Sequence, residues 1–306
     1  MKIDFRSIDV AKRLAPLAHS EIIEPADHAE RFFEWEKRQE VSGITLPWEK
    51  LSGRFEFKPG TLTMLAGYTG HFKSTVTTQI ILEAMRQGKR VGLASLELEL
   101  GQILEQMIEI ASTAANPTQE WKRKFIEWTR GKLFVYDRVD AIAPEDATAL
   151  TYACKDLGCD LVVIDALMMC GLENEDYGAE RDFAQAIQTI AKAEQLAVLM
   201  VHHTRKPSGP DGEGRRPHKY DLMGSSYLVN LCNGVLMCWH DKAKSHARES
   251  GSDYDDSKPC LVISVQKNRG GPFEGSVGLW QHPTGRGFCS NSRRQLKPID
   301  VSGVAG

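Results

Sequence analysis

No stretch of this chain is apolar for long enough to cross a bilayer, and Met1 to His19 lacks the apolar core of an export signal. A membrane-bound or secreted protein is therefore not expected. The seven cysteines (Cys154, Cys159, Cys170, Cys232, Cys238, Cys260 and Cys289) form no C-x-x-C pair, and several fall in apolar strands. They read as reduced core residues, which places the chain in a reducing, cytoplasm-like compartment. A net charge of −3 gives no overall nucleic-acid character, so any such contact must come from local basic loops. There is no internal repeat, and no acceptor site or lid that would suggest a kinase.

What is present centres on Leu65 to Thr75. Thr61 to Leu65 reads as a strand and Gly67 to Phe72 as a glycine-bearing loop. From Ser74 the apolar residues Val76, Ile80, Ile81 and Ala84 recur at helical spacing. Strand, glycine loop, then Lys-Ser opening a helix is the context of a phosphate-binding loop. Loop and helix N–H groups in Gly67, Tyr68, Thr69, Gly70, His71, Phe72, Lys73, Ser74 and Thr75 would face the phosphates of ATP or another NTP. Lys73 would reach the β- and γ-phosphates and Ser74 would hold Mg²⁺. The usual pattern is G-x-x-x-x-G-K-[ST], and here Phe72 replaces the last glycine; a left-handed backbone at that site would strain it.

The rest of the chain alternates strands and helices, which predicts an α/β fold. Strands are expected over Arg90–Leu96, Leu133–Tyr136, Leu161–Asp165, Ala197–Val201 and Val235–Trp239. Helices are expected over Leu100–Ala114, Trp121–Arg130, Pro144–Leu157, Tyr177–Glu194 and Asp221–Cys232, the last capped by Asp221. The sheet should be mostly parallel and twisted, with helices on both faces. Cys260–Val265 and Gly275–Trp280 should form an antiparallel C-terminal end. Arg54–Phe57 suggests a hairpin entering the glycine loop, and His240–Pro259 a polar, mobile loop.

In such sheets the chemistry lies at the carboxyl ends of the strands. Asp165 ends an apolar strand about ninety residues after the loop and would support the metal beside Ser74. Glu97, where the second strand stops, would orient the attacking water, with Glu99 as the competing carboxylate. Either His203 or His202 would sense the γ-phosphate, since neighbours on a strand face opposite ways. Arg205, Lys206, Arg215, Arg216 and Lys219 form a basic, glycine-bearing run suited to a single-stranded nucleic-acid backbone. Lys267 and Arg269 are either an exposed hairpin or a finger entering a neighbour's nucleotide site. Trp280 would stack on a base or fill an edge of the core.

Together these residues resemble the RecA-fold ATPase domain of DnaB-type hexameric replicative helicases, most closely that of phage primase-helicases and their mitochondrial relative Twinkle. The resemblance runs from about Leu46 to about Phe288. It is carried by Pro47-Trp48-Glu49-Lys50, Phe57-Lys58-Pro59-Gly60, Ser95-Leu96-Glu97, Val163-Ile164-Asp165, His203, Arg215-Arg216-Pro217, Asp221 to Ser226, Lys267-Asn268-Arg269 and Trp280 to Gly285. It implies an arm and linker helix over residues 1–45, a RecA-like P-loop NTPase core over 46–290 and a tail over 291–306. It also implies ATP hydrolysis with Mg²⁺ and 5′→3′ movement on single-stranded DNA at a replication fork. Gly224 and Ser225 would join the DNA-binding loop, and Lys267 and Arg269 would act in trans within a homo-oligomer, a hexamer. A separate primase and polymerase are implied partners, and the host cytoplasm is the implied location if the chain is viral. Met223 stands where a basic residue is common. The competing readings are a RecA-like recombination or repair ATPase, and a DNA-binding ring protein whose ATPase is impaired by Phe72.

Overall fold

The computed structural model describes residues 7–14, 24–40, 42–137, 141–167, 170, 176–205, 207, 212–224, 226–284 and 286–302. In chain order the elements are α1 (Val10–Leu14), α2 (Ala29–Glu40), β1 (Ile44–Thr45), β2 (Glu56–Phe57), β3 (Thr61–Gly67), α3 (Lys73–Arg86), β4 (Val91–Ser95), α4 (Leu100–Ser112), α5 (Gln119–Trp128) and β5 (Leu133–Tyr136). There follow α6 (Pro144–Asp156), β6 (Leu161–Asp165), α7 (Tyr177–Glu194), β7 (Ala197–His203), α8 (Ser226–Leu231), β8 (Gly234–His240), α9 (Lys242–Glu249), β9 (Leu261–Asn268), β10 (Gly275–Gln281) and β11 (Phe288–Cys289).

Nine strands form one sheet in the order β11-β10-β9-β8-β3-β7-β6-β4-β5. From β8 to β5 neighbouring strands are parallel, while β9, β10 and β11 add antiparallel to the β8 edge. Alternation along each strand divides the apolar residues between two layers. Leu65, Leu93, Val163 and Leu199 face one core with α3, α4 and α5. Met64, Ala94, Ile164 and Met200 face the other with α6, α7 and α8. The expected RecA-like α/β architecture is therefore present, including its antiparallel end.

Three local expectations are corrected. Glu56–Phe57 does not hairpin with β3 but pairs with Ile44–Thr45. Both edges of β3 are already taken by β7 and β8, and Phe55 and Phe57 bury instead with Trp48. The helix expected from Asp221 begins at Ser226. Asp221 instead receives Arg215 at 2.9 Å and the His218 N–H at 2.7 Å, and Gly224 breaks the backbone at φ +79°. β7 ends in His202 and His203, as expected, with His203 paired to Gly67. Within the expected polar loop, Lys242–Glu249 is a helix, opened by Asp241 accepting the Lys244 N–H at 3.0 Å. After β11 the chain returns to the core, where Ile299 donates its N–H to the Ala111 carbonyl at 2.8 Å and Val301 is buried.

Candidate nucleotide site and nucleic-acid face

β3 delivers the loop at the carboxyl end of the parallel strands. Gly67 is required there, because a Cβ would overlap the Cys238 carbonyl of β8. Gly70 turns the chain at φ +78°. Phe72 then adopts φ 61°, ψ 25°, the left-handed conformation a glycine would supply, and α3 begins at Lys73. The loop thus keeps its shape without its last glycine. The Phe72 ring meets His240 edge-on at 4.7 Å and Phe288 at 5.3 Å. His71 is fully buried and ties the loop to β8: its Nδ1 accepts the His240 N–H at 2.9 Å, and its carbonyl accepts the Cys238 thiol at 2.9 Å.

Lys73 is buried, and its ammonium donates to the carbonyls of Gly67 (3.1 Å) and Tyr68 (3.0 Å). Burial lowers its pKa, opposed by the nearby acidic groups Cys238, Asp165 and Glu97. Asp165, opposite Ser95 at the end of β6, has its carboxyl pushed up to about 6 by burial and by Glu97. Lys73 and a hydrogen bond from Ser74 pull it the other way. Glu97 is exposed just beyond β4, whereas Glu99 is the N-cap of α4, its N–H donating to Gln102 at 3.0 Å. Helix capping thus occupies Glu99 and leaves Glu97 over the site.

The two histidines at the end of β7 part company. His203 Nδ1 lies 3.3 Å from both Lys73 Nζ and Thr69 Oγ1. Burial and Lys73 depress its pKa to about 4, so near neutral pH it is an uncharged acceptor. His202 points to the other layer, with Nε2 donating to the Met223 carbonyl at 3.0 Å, and burial likewise lowers it to about 4. Lys242, on α9, adds a second ammonium 3.4 Å from the Thr69 carbonyl.

The basic run folds back on this strand end. Thr204 bridges Leu222, Arg205 N–H donates to the Asp221 carbonyl at 2.8 Å, and Met223 N–H donates to the His203 carbonyl at 3.1 Å. Arg205 also reaches the Gly224 carbonyl, and the Glu180 carboxylate fills the space a Cβ on Gly224 would need. Arg215 and Arg216 are exposed; Arg216 sits 5.4 Å from the centroid of the Trp239 ring. Lys219 is fixed by its ammonium to the Gln266 carbonyl at 2.8 Å. Lys206 and Ser225 lie outside the described residues.

Lys267 and Arg269 are not near this loop. Asn268 pairs with Gly234 at the start of β8, the rim of the sheet opposite the glycine loop. Lys267 donates to the carbonyls of Val229 and Asn230, and Arg269 to that of Asn230, at the C-terminus of α8. Trp280, three strands from β3, donates to the Ser257 carbonyl and carries Lys50 at 4.4 Å from its ring centroid. Sequence reasoning missed His240, Phe288 and Lys242 as neighbours of the loop. They reach it from β8, β11 and α9, and no local pattern announces such contacts.

A protein-family model described as an AAA domain matches residues 56–209, from β2 across the glycine loop to just beyond β7. The chain belongs to that family. The matched span contains the glycine loop and the strand ends that carry Glu97, Asp165 and His203. Among curated proteins, the DNA helicase/primase of Enterobacteria phage T3 is 27% identical over 198 residues, covering 58% of this chain. The chain spans only 35% of that relative's length. Among solved structures, a DnaB-like replicative helicase aligns with a TM-score of 0.66 at 15% identity, over 88% of this chain and 67% of that one. A solved ATPase domain gives 0.68 at 16% identity, over 86% and 98% of the two chains. A KaiC-like protein from Pyrococcus horikoshii OT3 gives 0.55 at 18% identity, over 81% and 97%. At these identities the likeness is one of fold.

Proposed function

We propose that this AAA domain is the motor of a replicative DNA helicase, hydrolysing ATP between subunits of a ring to move along single-stranded DNA. The observation that carries the reading is the double engagement of His203. Its side chain meets Lys73 and Thr69, while its backbone carbonyl holds Met223 at the end of the basic run. A γ-phosphate arriving at Lys73 competes for the same groups, so its gain or loss is felt at the strand end that carries Arg205, Arg215, Arg216 and Lys219. The likeness to the phage helicase/primase supports DNA as the substrate.

Lys73 and the loop amides would bind the phosphates, and Glu97 would orient the water. Asp165 and Ser74 suit Mg²⁺, since a buried carboxylate crowded by Glu97 and bonded to a hydroxyl is a hard-oxygen donor set that gains from a cation. When bound, Mg²⁺ would neutralise charge on the phosphate oxygens. Arg269 and Lys267 lie at the opposite rim from their own loop, which supports action on the nucleotide of the next subunit. A separate primase and polymerase fit as partners in this scheme.

Steady-state ATP hydrolysis with and without single-stranded DNA, beside strand separation on a forked duplex, tests the reading. DNA-stimulated turnover with unwinding is expected, both lost in Lys73→Ala. Stimulated turnover on open filaments without unwinding would point to a repair ATPase, and DNA binding without turnover to a passive ring protein.

A further inference from the structure

Tyr220 is 64% exposed, the most exposed of the large apolar or aromatic side chains among the described residues. It stands in a short turn, Lys219–Asp221, that is clamped on every side. Lys219 N–H donates to Gln266 Oε1 at 2.5 Å and its ammonium to the Gln266 carbonyl. Asp221 holds Arg215 and the His218 N–H, and its carbonyl accepts the Arg205 N–H. The His218 ring lies 5.2 Å from that of Tyr220, and the Lys219 ammonium 5.9 Å from its centroid. An exposed aromatic ring set among cations is the combination that proteins use to take a base and its phosphates from a single strand.

We propose that Tyr220 is a base-stacking platform: it takes the face of one base of the bound single strand, while Arg215, Arg216 and Lys219 hold the flanking phosphates. Stacking on an aromatic ring is tolerant of sequence, as a translocating motor requires, because every base offers a π-face. The clamped backbone of the turn loses little freedom on binding, so the ring is presented from a pre-organised position. The link from Asp221 through Arg205, and from Met223 to His203, then joins the stacked base to the strand end at the nucleotide. This inference rests on the proposal that the chain binds single-stranded DNA.

The test uses the full chain with a non-hydrolysable ATP analogue, and compares a homothymidine strand with an abasic strand of equal length by fluorescence anisotropy. The parent should bind the homothymidine strand about tenfold more tightly, the scale of one stacked base. Tyr220→Ala should lose that preference and keep the affinity for the abasic strand, while Tyr220→Trp restores it. Arg215→Ala with Arg216→Ala should weaken both strands alike. Equal binding of the two strands by the parent overturns the stacking role and leaves DNA binding standing. A Tyr220→Ala variant that changes oligomeric state but not the preference overturns it in favour of a subunit contact. Failure of the parent to bind either strand removes the motor reading as well.

Discussion

Replacing Phe72 separates what its backbone does from what its ring does. A non-glycine residue in the left-handed region costs about 1–2 kcal/mol. Against this, the ring makes two edge-on aromatic contacts, with His240 at 4.7 Å and Phe288 at 5.3 Å, each of a kind worth about 0.5–1.5 kcal/mol. The ring is half-buried, so truncation should fall at or below the lower end of the Phe→Ala range, about 2–3 kcal/mol. Phe72→Ala loses the contacts and keeps the backbone strain. Phe72→Gly loses the same contacts and relieves most of the strain, leaving a net loss of about 1–2 kcal/mol. The expected order of stability is therefore Phe, then Gly, then Ala, with Gly ahead of Ala by about 1 kcal/mol. That is the reverse of the order in a helix interior, where Gly is worse by a similar amount. Urea unfolding of the three proteins without nucleotide measures it. An Ala variant as stable as the Gly variant would refute the claim that φ 61° is a strained state held by the ring. Nucleotide affinity should change little in Phe72→Gly, because the backbone there already has the glycine conformation.

Acidification should destabilise the fold. His202 is buried, with its pKa down to about 4, so between there and its ordinary value of 6.5 the unfolded chain holds a proton the folded chain lacks. Its contribution is present above about pH 6.5 and is lost as pH falls towards 4, by at most about 3 kcal/mol. Asp165, raised to about 6, works the other way: between its ordinary 3.8 and about 6 the folded chain holds the extra proton, and stability is gained on acidification. Urea midpoints at neutral pH and near pH 5 should show a flatter dependence in His202→Asn and a steeper one in Asp165→Asn; a parent whose stability rises on acidification would contradict this. Gly67→Ala should lose about 1–3 kcal/mol through overlap with the Cys238 carbonyl, measured as a fall in the unfolding midpoint. His203→Ala should retain basal nucleotide binding within about tenfold, the loss of one hydrogen-bonded contact, and abolish stimulation by DNA, read in the ATPase assay; undiminished stimulation would break the proposed link between the two sites.

The sheet and its order of motifs were legible because buried strands write themselves as apolar runs, as in Leu161 to Ile164, and because Asp165 and Glu97 interrupt such runs where they end. Which of His202 and His203 faces the loop was not legible, since alternation gives two faces and not which layer each one meets. The capping role of Glu99 was legible in Gln102, which stands three residues on and marks a helix start. α9 was hidden by its polarity: Lys242 to Glu249 has no apolar face to give it away. The support under Phe72 was beyond any local reading, as its partners come from β8 and β11. The β1–β2 pair was not legible, because the turn at Lys58-Pro59-Gly60 has the form of a hairpin and only the full sheet shows that β3 has no free edge.

Arg269 and the glycine loop occupy opposite rims of one sheet, and with Arg269 acting on the nucleotide of the next subunit of a ring, as we propose, this sets a rule for mixtures of damaged subunits. A Lys73→Ala subunit still offers an intact finger, and an Arg269→Ala subunit still offers an intact loop. Each protein alone would assemble into a ring in which every junction is broken. Combined, they would form some junctions in which the sound finger of one meets the sound loop of the other, and turnover would reappear from two silent preparations.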